Sequence, residues 1–214
     1  MGKGYFITLE GPDGSGKTTQ ARLLGDYLKE QGYSVLLTRE PGGTELAEEI
    51  RRVILTPSQE PLEPVAEILL YAASRAQHAG RLIKPALENG EVVICERFID
   101  SSLAYQGYAL GWDLKAIEEV NRIAVGDLQP DLTFLLDLET ERSFNRINNR
   151  FDLNKTGIDR IESRGFQFQE KVRAGYLELA KCNPRIVLLK TSQKSIKEIH
   201  QELVAITVER LRAL

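Results

Sequence analysis

"LEGPDGSGKTTQ", residues 9–20, follows the apolar run YFITL at 5–9 and leads into a helical pattern over residues 18–30 that ends at Gly32. Its core, Gly11, Pro12, Asp13, Gly14, Ser15, Gly16, Lys17 and Thr18, matches G-x-x-x-x-G-K-[ST] in the strand–loop–helix setting that motif requires. Glycines let the backbone aim several N–H groups at one point, and the following helix adds the positive end of its dipole. The motif predicts a loop that holds the phosphates of a nucleoside triphosphate. Lys17 is expected on the outer phosphates, the Thr18 hydroxyl on Mg²⁺, and Thr19 beside them. Asp13 is the oddity, a carboxylate inside a loop built for anions.

Outward from this stretch the same alternation continues. Apolar runs recur at 35–37 (VLL), 92–95 (VVIC), 132–138 (LTFLLDL) and 186–189 (IVLL), most of them continuously apolar. That pattern fits strands covered on both faces, as in a parallel sheet. Helical patterns over 45–55, 64–88, 114–125, 162–181 and 195–212 separate them. The expected fold is therefore α/β, a doubly wound parallel sheet of five strands with helices on both faces.

The 214 residues, 42% hydrophobic and 28% charged, predict one domain spanning 1–214. A net charge of −3 without a long basic run argues against binding a nucleic-acid polymer. No apolar run is long enough for a membrane span. The start, MGKGYF, lacks a signal-peptide core and carries Phe6 where a myristoylation signal needs Ser or Thr, so a cytoplasmic location is expected. Cys95 and Cys182 make neither a disulfide framework nor a metal cluster, and Cys95 reads as a core thiol. His78 and His200 read as helix-surface residues and Trp112 as a packing residue.

A phosphate loop does not settle the reaction. A GTPase should carry Asn-Lys-x-Asp after a strand, whereas Asn154-Lys155 here is followed by Thr-Gly within a charged stretch. A large motor ATPase needs more chain, so size favours a small kinase with one triphosphate donor and one small acceptor. If the acceptor is itself a phosphate it needs cations, and two arginines stand at equivalent places after strands: Arg39 in TREPGG and Arg97 in ERF. Residues 146–165 differ from the rest in carrying Arg146, Arg150, Arg160 and Arg164, just after Arg142. They read as a lid that closes arginines over phosphates, or as a solvated helix end and loop.

Together, EGPDGSGKTTQ, TREPGGT, LLYAASRAQH, ERFIDSSLAYQG and DRIESRGFQFQEKVRAGYLELA resemble the thymidylate kinase family over nearly the whole chain. The resemblance implies a nucleoside monophosphate kinase-like P-loop fold and transfer of the γ-phosphoryl group of ATP to dTMP. It also implies Arg39 and Arg97 on the acceptor phosphate, Tyr71 stacked on thymine and Arg75 at a base carbonyl. Ser102 and Gln106 would lie near the base, and Tyr105 against the sugar 2′ position. Asp13 would meet the sugar 3′-hydroxyl. The family forms homodimers through helices, although an intramolecular core would leave the same apolar pattern.

Two departures stand out. The family usually has Asp before the arginine of the third strand, where this chain has Glu96, the expected partner of Thr18 at the metal; Asp137 reads as structural. One branch of the family places an arginine inside the phosphate loop, where this chain has Gly14. The cation on the transferring group would then come from the lid, Arg150 or Arg160 ahead of Arg146 and Arg164. Well-placed arginines of this kind are worth about 10³–10⁵ in rate. Two other readings stay open: a kinase for a different nucleoside or monophosphate on the same scaffold, and a non-catalytic nucleotide-binding module.

Overall fold

The structure is a computed structural model that describes residues 4–146 and 159–212. Five parallel strands, β1 (Tyr5–Glu10), β2 (Val35–Arg39), β3 (Val92–Glu96), β4 (Leu132–Asp137) and β5 (Ile186–Lys190), form one sheet in the order β2-β3-β1-β4-β5. All five lie on the runs expected from the sequence. β1 is central, with Ile7 opposite Ile94 of β3 on one side and Leu132 of β4 on the other. The three inner strands are buried nearly throughout, which explains their unbroken apolar character. The two edge strands, β2 and β5, are only half-buried.

Successive residues point to opposite faces of a strand. Ile7 and Leu9 join Leu24 and Leu28 of α1 (Lys17–Glu30) and Leu203 of the C-terminal helix in one cluster. Phe6, Val93 and Cys95 join Ala79, Ile83 and Phe98 in a second cluster on the other face. Cys95 is thus the core thiol expected of it.

Helix α2 (Glu45–Leu55) starts where Thr44 Oγ1 accepts the Ala47 N–H. Helix α3 (Pro64–His78) opens with proline in its first turn and continues through a π-helical turn, Ala79–Ile83, into α4 (Lys84–Glu88). The pattern over 64–88 predicted an uninterrupted helix. Pro85 is the physical reason for the widening: it has no N–H, and its ring would collide with the carbonyl four residues back in a regular α-helix.

After β3 the chain makes α5 (Ile99–Ser102) and a π-helical stretch, Leu103–Ala109, neither expected from the sequence. Almost every residue there is buried, so the segment shows no amphipathic period. Helix α6 (Leu114–Val125) is capped by Asp113, whose carboxylate accepts the Ala116 N–H. Trp112, expected to pack, is 36% exposed in the turn before it.

The pattern over 162–181 resolves into a 3₁₀ turn, Glu162–Arg164, and α7 (Phe166–Cys182), separated by Gly165 at φ 82°. Helix α8 (Ile196–Arg212) begins with a capping box: Ser195 Oγ accepts the Glu198 N–H, and the Glu198 carboxylate accepts the Ser195 N–H. Among the described residues no helix is long and apolar enough to cross a membrane.

Candidate active site

The C-terminal ends of β1, β2 and β3 open onto one cavity of about 680 Å³. Ligands of open parallel sheets bind at this edge, where the chain switches from one side of the first strand to the other. The cavity is lined by Asp13 to Thr19 (apart from Ser15), by Arg39, Tyr71, Arg75, Glu96 and Arg97, and by Ser102, Tyr105 and Gln106. The geometry therefore gathers the sequence-predicted set, with the exceptions described below.

The phosphate loop turns at Gly11, φ 136°, where a side chain would collide with the Leu136 carbonyl oxygen of β4. Lys17 folds back and donates to the carbonyls of Gly11 (3.1 Å) and Pro12 (2.9 Å). Burial and the charge of Arg97 push its amine down to about 8, against the attraction of Asp13 and Glu96. Ser15 Oγ is buried without a partner among the described residues. A loop holding an under-satisfied hydroxyl and a cation that gains from an anion is suited to phosphate.

Asp13 finds its explanation here. Its Oδ1 accepts from Arg97 Nη2 at 2.6 Å and lies 3.9 Å from Lys17 Nζ, so the loop acid sits between two cations. Arg97 holds φ 63°, the positive value glycine normally takes, at the tip of β3. The surrounding contacts hold it there. Nη1 donates to Ser101 Oγ and Tyr176 Oη, and Nη2 also donates to Tyr105 Oη at 3.1 Å.

Behind Arg97 lies Glu10, 1% exposed, which accepts from Phe98 N, Ser101 Oγ and Tyr176 Oη. Burial, then the neighbouring Asp100, push its carboxyl up, while Arg97 pulls it down. Glu10, Ser101 and Tyr176 were not singled out from sequence. They brace the arginine and meet only in three dimensions.

Thr18 Oγ1 donates to Glu96 Oε2 at 2.8 Å. The two expected metal residues are therefore adjacent, beside the loop that would hold the phosphates, and both offer the hard oxygen donors that Mg²⁺ takes. The longer side chain of Glu96 does not prevent the contact. Asp137 is ion-paired to Arg173 at 2.7 Å, in keeping with a structural role.

Arg39 lines the cavity with Nη1 on the Pro41 carbonyl and the guanidinium against Glu48 at 3.0 Å. Arg51, not singled out from sequence, donates to the same carbonyl at 2.9 Å and also lines the cavity. Burial and the adjacent Arg39 push Arg51 down from the usual arginine value, as expected of crowded cations facing a cavity that suits an anion. It follows Arg39 by twelve positions on the polar side of α2, a spacing with no local signature.

Tyr71 and Arg75 share a face of α3. Tyr71 lines the cavity, with its hydroxyl pushed up by burial and by Glu67. Arg75 is 2% exposed and far more embedded than a base-reading side chain need be. It bonds Glu40 (2.7 Å), Ser102 Oγ (2.8 Å), Asn121 Oδ1 (2.6 Å) and the Phe98 carbonyl (3.0 Å), which occupies four of its five N–H donors.

His78, expected on a helix surface, is wholly buried. Its ring lies between Thr38 Oγ1 (2.7 Å) and Glu40 Oε1 (3.1 Å), because this face of α3 packs on the end of β2. His200 is partly covered, edge-on to Tyr27.

The lid arginines separate. Arg150 lies outside the described residues. Arg160 donates to the Thr56 carbonyl at 2.7 Å, at the C-terminal end of α2, and does not line the cavity. Arg164 pairs with buried Glu67. Arg146, in a helical stretch over 140–146, donates to the Gly14 carbonyl at 2.9 Å, at the loop position where the resemblance left a missing cation.

The family model for thymidylate kinase matches residues 9–203. A thymidylate kinase of Exiguobacterium sp. strain AT1b is 49% identical over 209 residues, covering 98% of this chain and 96% of its own. One of Exiguobacterium sibiricum is 46% identical over 200 residues, covering 94% and 92%. The crystal structure of thymidylate kinase from Ehrlichia chaffeensis superposes with a TM-score of 0.76 at 37% identity, covering 96% of this chain and 99% of that one.

Proposed function

The chain belongs to the thymidylate kinase family, and from that premise we propose that it transfers the γ-phosphoryl group of ATP to dTMP, giving dTDP. The observation that carries the proposal is the gathering of two cationic groups in the lining of one cavity: the phosphate loop with Lys17, and the group Arg39, Arg51 and Arg97.

Phosphoryl transfer leaves the protein little covalent work, so positioning and charge do most of it. The loop amides and Lys17 hold the donor's outer phosphates. Thr18 and Glu96 would hold Mg²⁺, which supplies positive charge to the phosphate oxygens when bound. The acceptor phosphate lies against Arg97 and the Arg39–Arg51 pair. Asp13, which accepts from Arg97, would also accept from the sugar 3′-hydroxyl. Tyr71 stacks on the base and Arg75 offers its remaining N–H. Tyr105, hydrogen-bonded to Arg97, closes the sugar side. Of the lid arginines, Arg146 meets the loop through the Gly14 carbonyl, while Arg160 and Arg150, the latter outside the described residues, are the other candidates to reach the transferring group.

A homodimer is part of the proposal. Val65 and Leu69 of α3, Val53 of α2 and Ile123 of α6 are half or more exposed, or nearly so, on helices that pack side by side. A second copy set against this apolar face would cover it.

A coupled ADP-release assay decides the reaction. The expected result is strong turnover with dTMP and weaker turnover with dUMP, because one missing methyl discriminates by only about 1–3 kcal/mol. Strong turnover with AMP, GMP or CMP and weak turnover with dTMP would overturn it.

A further inference from the structure

Glu67 is fully buried on α3, one turn before Tyr71 and two before Arg75, yet it does not line the cavity. Among the described residues, two side chains meet its carboxylate. Arg164 donates through Nη1 to Oε1 at 3.2 Å and through Nη2 to Oε2. Gln106 Nε2 donates to Oε1 at 2.9 Å.

Arginine has donors only, so Glu67 meets Arg164 as an acceptor through both oxygens, and the Gln106 atom that meets Oε1 is Nε2, which donates. The amide end that meets Glu67 must therefore be the NH₂ end. The carbonyl end of Gln106 is left for the cavity, which Gln106 lines.

We propose that Glu67 is a positioning residue for base discrimination: clamped by Arg164, it locks the Gln106 amide with its carbonyl toward the acceptor base. The proposal rests on reading the cavity as the dTMP pocket. Thymine offers a ring N3–H donor beside its O4 acceptor. Cytosine reverses both, with a bare ring nitrogen and an amino donor. A locked carbonyl in the cavity that Arg75 also lines accepts the first pattern and is mismatched to the second. Arg164 belongs to the 3₁₀ turn that ends the lid segment and stacks on Phe168 at 4.9 Å. The orientation of Gln106 is thereby tied to the seating of that turn on α3.

The test is the ratio of kcat/KM for dTMP over dCMP. Glu67→Gln supplies an amide that can either accept from or donate to Gln106, so the lock is lost. The ratio should fall about ten- to one-hundred-fold, with the dTMP loss in KM more than in kcat. Glu67→Met removes both acceptors, should give the same fall, and carries the test if the glutamine variant does not fold. In a Gln106→Met background, Glu67→Met should change the ratio no further, since Glu67 acts through Gln106.

An unchanged ratio in the single variants, or an equal fall in the Gln106→Met background, overturns the proposal. Wild-type protein without preference for dTMP refutes the functional reading as well. Intact wild-type preference with unchanged variants refutes the role of Glu67 alone.

Discussion

Binding of ATP should take up protons through Lys17. In the ligand-free protein its amine is buried, shares Asp13 with Arg97, and is pushed from the usual 10.5 down to about 8. A triphosphate in the loop supplies the missing anion and returns Lys17 to its ordinary range. The uptake should then be about 0.1 proton at pH 7, about 0.5 at pH 8 and about 0.9 at pH 9. Titration calorimetry of MgATP in buffers of different ionisation heat measures it, with Lys17→Met as the control that loses it.

The same shift has a sign for stability. The folded value lies below the unfolded one, so charging Lys17 opposes folding. The cost, about 3 kcal/mol, is present in full below pH 8 and declines as pH rises from 8 to 10.5. Uptake near zero at all three pH values, or equal uptake in Lys17→Met, would refute the reasoning.

Other outcomes follow from single contacts. Glu96→Gln should raise the Mg²⁺ concentration for half-maximal turnover about tenfold or more, read from a metal titration of the rate. Arg97→Lys cannot reproduce the contacts to Asp13, Ser101, Tyr105 and Tyr176, and should lower kcat/KM for dTMP about 10²–10³-fold in steady-state kinetics. Arg146→Ala should lower kcat far more than Arg160→Ala, whose described contact caps α2 and is worth about 1 kcal/mol of stability in a urea melt. Leu24→Ala, at a fully buried position between α1 and the sheet, should cost about 2–5 kcal/mol by the same melt.

How much of this was legible in sequence depended on whether a signal is local. The loop motif and its flanks are contiguous, so β1, the turn and α1 were read together. The apolar runs marked five strands because inner parallel strands are covered on both faces. The same argument overstated β2 and β5, whose edge positions only topology reveals. Residues 99–109 hid their helical form because burial on every side erases periodicity.

At the site, Arg39, Glu96 and Arg97 were found because they end strands, and Tyr71 and Arg75 through the family motif. Arg51 and Glu67 lie outside every quoted motif, and Glu10 and Tyr176 lie within motifs but were given no role there. Each is an ordinary polar residue until a distant segment packs against it. His78 was placed on a surface for the same reason: its partners, Thr38 and Glu40, lie some forty residues away.

The most direct test of the central claim is a crystal structure with a non-hydrolysable ATP analogue and dTMP bound together. The dTMP phosphate should lie within hydrogen-bond distance of the Arg97 guanidinium, roughly 2.7–3.2 Å, facing the γ-phosphate held by the loop. A dTMP phosphate lodged away from Arg39, Arg51 and Arg97 would contradict the account.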